Sequence, residues 1–215
     1  MLEGIPILVP PTGKRAVASL EEVLGPDLLC AHCVDVTAGE IELLSERGVP
    51  IAHCPRSNAL LGCGVAPLAA MRAAGSVIGL GTDSPASTPS FDVFEEMRAA
   101  VQAARALERR PDALSAADAL RLATSGAARA LRIDDRVGTL TPGKRADLAV
   151  VSLAGSLYHP VEDLAAAVVF GGSPERVLET IVDGQARYTS EESIKWQEVR
   201  STASAARRKM LALRP

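Results

Sequence analysis

The chain has 215 residues, of which 47% are apolar and only 3% aromatic, with a formal net charge of −3. That length supports one large domain, or a domain with a smaller companion, whose core is built from Ala, Leu and Val. The charge balance provides no basic footprint for nucleic acid, and no apolar run reaches the ~18–20 residues needed to span a bilayer. Met1-Leu2-Glu3-Gly4 lacks the basic-then-apolar layout of a signal peptide, so the expected location is cytoplasmic.

Residues 1–13 are rich in Pro and Gly and show no period. A short helix is expected over Lys14–Leu24, where Val17, Leu20, Val23 and Leu24 fall at helical spacing. Gly25-Pro26-Asp27 is a turn, and a strand follows to His32. Thr37-Ala38-Gly39-Glu40 has the form of a capping box, and Gly48 stops the helix it opens. A second strand, Val49–His53, carries Pro50 near its start, where a missing ladder donor is tolerated. Residues 54–64 are expected to be loop, and Pro67–Ala74 helix with Gly75 at its end.

The third strand, Val77–Asp83, precedes a loop rich in Pro and Ser over Ser84–Ser90. A long helix is expected from Phe91 to about Glu108, with Phe91, Phe94, Met97 and Val101 on its core face. Glu95 and Glu96 on that helix are expected to be solvated or salt-bridged. Two more helical stretches begin at Ser115 and Gly126. After Arg132 the pattern changes. Asp147–Val151, Ala167–Phe170 and Arg176–Val182 read as strands, and Asp183-Gly184 as a tight hairpin into Gln185–Tyr188. His159 falls in a loop of this β region, and Glu191–Leu213 reads as a polar, solvated helix.

The four cysteines are Cys30, Cys33, Cys54 and Cys63. Cys30-x-x-Cys33 has the spacing of a zinc or redox pair. It lies on a strand end, however, and no second close pair completes a tetrahedral set. Reduced, partly buried thiols are the expected state.

Three successive strands therefore end on His32, His53 and Asp83, residues able to serve a metal site. Chemistry at the carboxyl ends of parallel strands is the mark of a (β/α) barrel. The motifs Ala31-His32-Cys33, His53-Cys54-Pro55-Arg56-Ser57-Asn58, Gly79-Leu80-Gly81-Thr82-Asp83-Ser84, Phe94-Glu95-Glu96-Met97-Arg98 and Gly138-Thr139-Leu140-Thr141-Pro142-Gly143-Lys144 stand in that order. Together they resemble the amidohydrolase superfamily. The resemblance is to its branch of adenosylhomocysteine and guanine deaminases and triazine (chloro)hydrolases, and it runs from about Val23 to Tyr188.

The resemblance implies an α/β fold: the C-terminal portion of a (β/α)8 TIM-like barrel, strands six to eight, in residues 1–132. Part of a small β domain would follow in 133–189, and a C-terminal helix in 190–215. It implies a divalent metal, zinc in first place and iron as the alternative, and a small heterocyclic substrate. Asp83 would bind the metal and act as general base, and His32 would sit beside the metal or ligate it. His53, Ser57 and Asn58 would line the substrate pocket. Relatives also carry His-x-His on the first strand and His-x-x-Glu on the fifth, and this chain, with three His in all, has neither. A catalytic zinc takes three protein ligands, so the chain alone is expected to bind metal weakly and to be inactive. Its cut barrel is expected to self-associate. The competing reading is a catalytically dead module that pairs with a homologue or a separate N-terminal half. A free-standing doubly wound binding domain is disfavoured, because Gly62-x-Gly64 lacks the third glycine of a phosphate loop.

Overall fold

A computed structural model describes residues 15–154, 162–190 and 196–212. The readings made for residues 1–13, for His159 and for 191–195 fall outside these residues. The first described helix is shorter than its sequence pattern: α1 spans Ala16–Ser19, and a 3₁₀ turn covers Glu21–Val23.

Three short parallel strands follow, β1 (Cys30–Ala31), β2 (Ile51–His53) and β3 (Ile78–Leu80), in the order β1-β2-β3. Helices return the chain between them: α2 (Ala38–Glu46) after β1, then α3 (Pro55–Leu60) and α4 (Leu68–Ala73) after β2. The Thr37–Glu40 capping box is formed in both directions, so the start of α2 has its orphan donors satisfied. Glu40 in turn takes Arg15 Nε at 3.0 Å, tying the N-terminal segment to α2.

Where a loop was expected after β2, Pro55–Leu60 is helical. Pro55 occupies the first turn, where its missing N–H costs nothing and its fixed φ suits a helix. The long helix, α5, spans Val93–Glu108 and starts two residues later than its apolar pattern suggests. Asp92 accepts from the N–H groups of Phe94 and Glu95 and sets the start, so Phe91 lies outside the helix and is exposed rather than part of the core.

The two helical stretches after Ser115 form one continuous run: α6 (Ala116–Arg121), a π-helical turn over Leu122–Gly126, and α7 (Ala127–Ala130). This run presses on β3. A Cβ on Gly79 would lie 2.6 Å from Ala127 Cα, and one on Gly126 would lie 2.6 Å from the Ile78 carbonyl oxygen. Glycine is required at both positions because backbone meets backbone.

The core lies between β1–β3 and the helices. Leu44, Ile51, Met71, Val101 and Leu114 are essentially inaccessible to solvent, and burying each of the larger side chains is worth roughly 1.5–3 kcal/mol.

The second sheet is antiparallel, β4 (Leu148–Val151), β5 (Val177–Val182) and β6 (Gln185–Thr189), in that order. Asp183 and Gly184 both have positive φ, 53° and 74°, the conformation a two-residue hairpin demands. The expected strand at Ala167–Phe170 is instead helix α8 (Leu164–Gly171). Asp163 caps its start through Ala166 N–H, and the Arg98 guanidinium binds the carbonyls of Val169 and Gly172 at its end. Capping at both ends decides what an apolar run of this length leaves ambiguous. A last helix, α9 (Trp196–Ala212), is exposed at its described side chains except the half-buried Ala205.

Candidate functional site

His32 follows β1 directly, and Asp83 lies three residues beyond β3. The Ala52 carbonyl accepts from His32 N–H at 2.9 Å, and the His53 carbonyl accepts from Gly81 N–H at 2.9 Å, so the ladder carries both residues to the same end of the sheet. There the backbone turns sharply: His32, Cys33 and Asp83 have φ of 66°, 47° and 61°. For residues with a Cβ this left-handed conformation costs roughly 1–2 kcal/mol each. Strain of this kind persists where surrounding contacts over-determine it.

Those contacts come from α3 and from the loop that follows Asp83. Ser57 Oγ donates to Asp83 Oδ2 at 2.5 Å, Ser87 Oγ donates to the same oxygen at 2.8 Å, and Ser84 N–H donates to Oδ1 at 2.7 Å. The two serine hydroxyls and this amide hold the Asp83 carboxyl ionised, at a pKa of about 2. Asn58 Oδ1 lies 2.8 Å from His32 Nδ1. An amide oxygen only accepts, so Nδ1 carries a proton, and in the neutral ring Nε2 keeps its lone pair. That Nε2 faces Asp83 Oδ2 at 3.9 Å.

α3 is in turn clamped to α5. Arg56 binds Glu95 at 2.5 Å and Glu96 at 3.4 Å, and its backbone N–H reaches Glu96 Oε2 at 3.3 Å. Both Glu95 and Glu96 are salt-bridged to Arg56, within the expectation that they are solvated or salt-bridged, but Glu95 is half-exposed whereas Glu96 is fully buried. Burial pushes Glu96 up to about 7 despite Arg56.

His53 is buried on the same side of β2 as Ile51, whose side chain joins the helix-covered core. Burial, with His32 nearby, lowers its pKa to about 4, so the ring is neutral. The four cysteines are free, with Cys30 and Cys33 half-buried. Contact with Cys33 lowers the Cys30 thiol to about 7, and the same contact raises Cys33.

Two electron-rich atoms 3.9 Å apart, one imidazole nitrogen and one carboxylate oxygen, form a pair that a cation satisfies. The span is shorter than two zinc–ligand distances of about 2.0–2.2 Å laid end to end. Among the described residues, no group of three or more His, Cys, Asp or Glu is placed to hold a metal. His32 and Asp83 therefore fit a metal as part of a donor set.

The structure thus brings His32, Asp83, Ser57 and Asn58 together, with His53 buried near His32. Ser87 and the Arg56–Glu96 clamp were not singled out from sequence. Ser87 sits four residues after Asp83 in a Ser-rich loop, and that was the only available signal.

Residues 13–187 match the amidohydrolase family. The chain belongs to that family. Among curated relatives of this amidohydrolase, a 5-methylthioadenosine/S-adenosylhomocysteine deaminase of Halobacterium salinarum is 38% identical over 198 residues, covering 91% of this chain and 46% of the relative. Among solved structures, an adenosine deaminase from Xanthomonas campestris with bound zinc superposes with a TM-score of 0.89 at 32% identity, covering 94% of this chain and 47% of that one. A zinc complex of atrazine chlorohydrolase from Arthrobacter aurescens gives a TM-score of 0.77 at 30% identity, covering 85% and 41%. The chain spans less than half the length of each of these relatives. The fold is the mixed α/β, TIM-barrel-related fold of these amidohydrolases. Among the described residues, no helix is long and apolar enough to cross a membrane.

Proposed function

We propose that this amidohydrolase chain is the C-terminal portion of a metal-dependent deaminase or related C–N or C–X hydrolase acting on an amino-substituted heterocycle. In this reading residues 1–132 hold barrel strands six to eight, 133–189 part of a small β domain, and 190–215 a C-terminal helix. The observation that carries it is the facing of His32 Nε2 and Asp83 Oδ2 at 3.9 Å, each anchored by a neighbouring residue of the same helix.

His32 and Asp83 would hold the divalent metal, zinc in first place. The metal would supply Lewis acidity and bring the pKa of water down to about 7. Asp83, kept ionised by Ser57 and Ser87, accepts the proton from the attacking water and delivers it to the leaving amine. His32, its Nδ1–H held by Asn58, keeps its Nε2 lone pair turned toward Asp83 and the metal position. Ser57 and Asn58 orient these two groups, and together with His53 they line the substrate pocket.

The remaining ligands come from polypeptide outside these 215 residues. The isolated chain therefore holds zinc well below one per chain and shows no turnover. The edges of β1 and β3 and exposed apolar side chains such as Leu60 and Leu61 favour self-association.

The test is metal analysis and a deaminase assay on the purified chain, alone and mixed with a separately produced segment carrying His-x-His and His-x-x-Glu. Stoichiometric zinc and activity appear only in the mixture, and Asp83→Asn abolishes the activity there. One tightly held zinc with turnover in the isolated chain overturns the reading.

A further inference from the structure

Arg56 stands next to Ser57 and Asn58 on α3, yet the proposed chemistry makes no use of it. Its side chain is only 12% exposed, so the guanidinium lies inside the protein. A guanidinium presents five N–H donors in a rigid planar fork. Here two other elements take them. On α5, Glu95 Oε2 accepts from Nη2 at 2.5 Å, and Glu96 Oε1 accepts from Nη1 at 3.4 Å. In the loop after Asp83, Ser90 Oγ accepts from Nη1 and from Nη2, each at 3.3 Å.

That loop is cross-linked within itself before it reaches Arg56. Thr88, 1% exposed, donates through Oγ1 to the Thr82 carbonyl at 2.9 Å. The Ser84 carbonyl accepts from the N–H groups of Ser87 and Thr88, both at 2.9 Å. A loop folded in this way carries Ser87 as a fixed part of itself, and Ser87 Oγ donates to Asp83 Oδ2. Asp83 Oδ2 thus has two hydroxyl donors from two elements, Ser57 from α3 and Ser87 from the loop. Both elements are anchored at the same guanidinium. Asn58, on the same helix, holds His32. Among the described residues no hydrogen bond or ion pair joins Arg56 itself to His32 or Asp83.

We propose that Arg56 is a positioning residue for the His32–Asp83 pair: one guanidinium ties α3 and the Asp83 loop to α5, and so keeps Ser57, Ser87 and Asn58 in place together. Lysine is no substitute. Its ammonium is a point charge on a flexible stem, and when it is drawn to Glu95 and Glu96 it leaves Ser90 unbound. The catalytic consequence rests on the function proposed above; the positioning does not.

The test is Arg56→Lys in the 215-residue chain, compared with the unmodified chain by NMR at about pH 8, where an ordinary imidazole is neutral. In the unmodified chain, NOEs join the β-protons of Asp83 to those of Ser57 and of Ser87, and long-range ¹⁵N correlation shows His32 protonated at Nδ1. In Arg56→Lys both NOEs fall at least threefold and His32 becomes a mixture of tautomers. NOEs within the core that holds Leu44, Ile51 and Met71 are unchanged. A folded Arg56→Lys with both NOEs and the tautomer unchanged overturns the proposal, and so does a fall of the core NOEs in step with them. If Arg56→Lys does not fold, Ser90→Ala decides, because it removes only the hydroxyl acceptor at the loop end. It weakens the Ser87–Asp83 NOE at least threefold and spares the Ser57–Asp83 NOE; both unchanged overturns the proposal. In the assembly complemented with the missing segment, Arg56→Lys lowers kcat at least tenfold and leaves KM within twofold. A raised KM with kcat retained means that Arg56 contacts substrate and overturns the proposal. An unmodified assembly without turnover counts against the proposed function, and the NOEs and tautomer then decide the positioning.

Discussion

Glu96 and His53 are buried groups whose titrations oppose each other, and the substitution Glu96→Gln separates them. Burial raises Glu96 from 4.5 to about 7. The folded chain thus keeps a proton that the unfolded chain has lost, and the stability present below pH 4.5 is lost as pH rises through 7. Over the full shift this amounts to ~3 kcal/mol at 1.36 kcal/mol per unit. His53 falls from 6.5 to about 4. Its contribution is present above pH 6.5 and lost as pH falls through 4, again by ~3 kcal/mol. In the unmodified chain the two slopes nearly cancel, and stability stays within ~0.5 kcal/mol between pH 4.5 and 7.5 as far as these groups go. Gln mimics the protonated carboxyl and removes only the falling component. Urea unfolding of both proteins at the two pH values measures the gap, provided the denaturant slope is unchanged. Relative to the unmodified chain, Glu96→Gln gains ~3 kcal/mol on going from pH 4.5 to 7.5. A gap constant to within ~0.5 kcal/mol refutes the assignment of the raised titration to Glu96. His53→Phe is expected to show the mirror-image change.

Ser57→Ala removes the strongest of the hydrogen bonds that hold Asp83 ionised, so the Asp83 carboxyl moves from about 2 back toward 3.8, read by ¹³C titration of the side chain. In the same region, stability linked to Asp83 is full above pH 3.8 and falls as pH drops toward 2. Cys30, lowered to about 7 by Cys33, is alkylated half-maximally near neutral pH, with Cys33 following only after it. Tandem mass spectrometry of the peptide gives the order, and Cys33 reacting first contradicts the contact. Gly79→Ala places a methyl 2.6 Å from Ala127 Cα. Overpacking of this kind costs about 2 kcal/mol or more, which for a chain of this size lowers Tm by at least ~4 °C. An unchanged melt would mean that the π-turned helix moves off β3 at no cost.

The parts of the fold legible in the sequence are those fixed by local chemistry. Thr37 and Glu40 announce the start of α2, and Asp183-Gly184 announces the hairpin. The three strands are found because each apolar run is bounded by turn residues. Leu164–Gly171 was not legible, because an eight-residue apolar run has the length of either a strand or a helix. What settles it is Arg98, 71 residues before Val169, binding the carbonyls at its end. The burial of Glu96 was equally hidden. A Glu-Glu pair on a helix reads as surface, and only the docking of α3, itself taken for a loop, puts one of the two carboxylates out of reach of water. Of the candidate site, the residue types were legible and their partnerships were not. Nothing in the spacing of positions 32, 58, 57 and 83 says that Asn58 pairs with His32 and Ser57 with Asp83.

The partnerships explain why so short a helix matters. β1 and β3 are not neighbours in the sheet; β2 separates them. His32 and Asp83 reach each other because both segments turn through positive φ beyond their strands, where the last ladder bonds are those of His32 N–H and Gly81 N–H. α3 leaves β2, the strand between them, and so delivers adjacent side chains to either side: Ser57 to the β3 turn and Asn58 to the β1 turn. The Arg56–Glu95–Glu96 clamp fixes where α3 lies. A charge buried at Glu96 thus contributes to the position of two residues that never touch it. The cost of burying that charge is tolerable because Arg56 compensates part of it, and because the neutral form of Glu96 is populated near neutral pH.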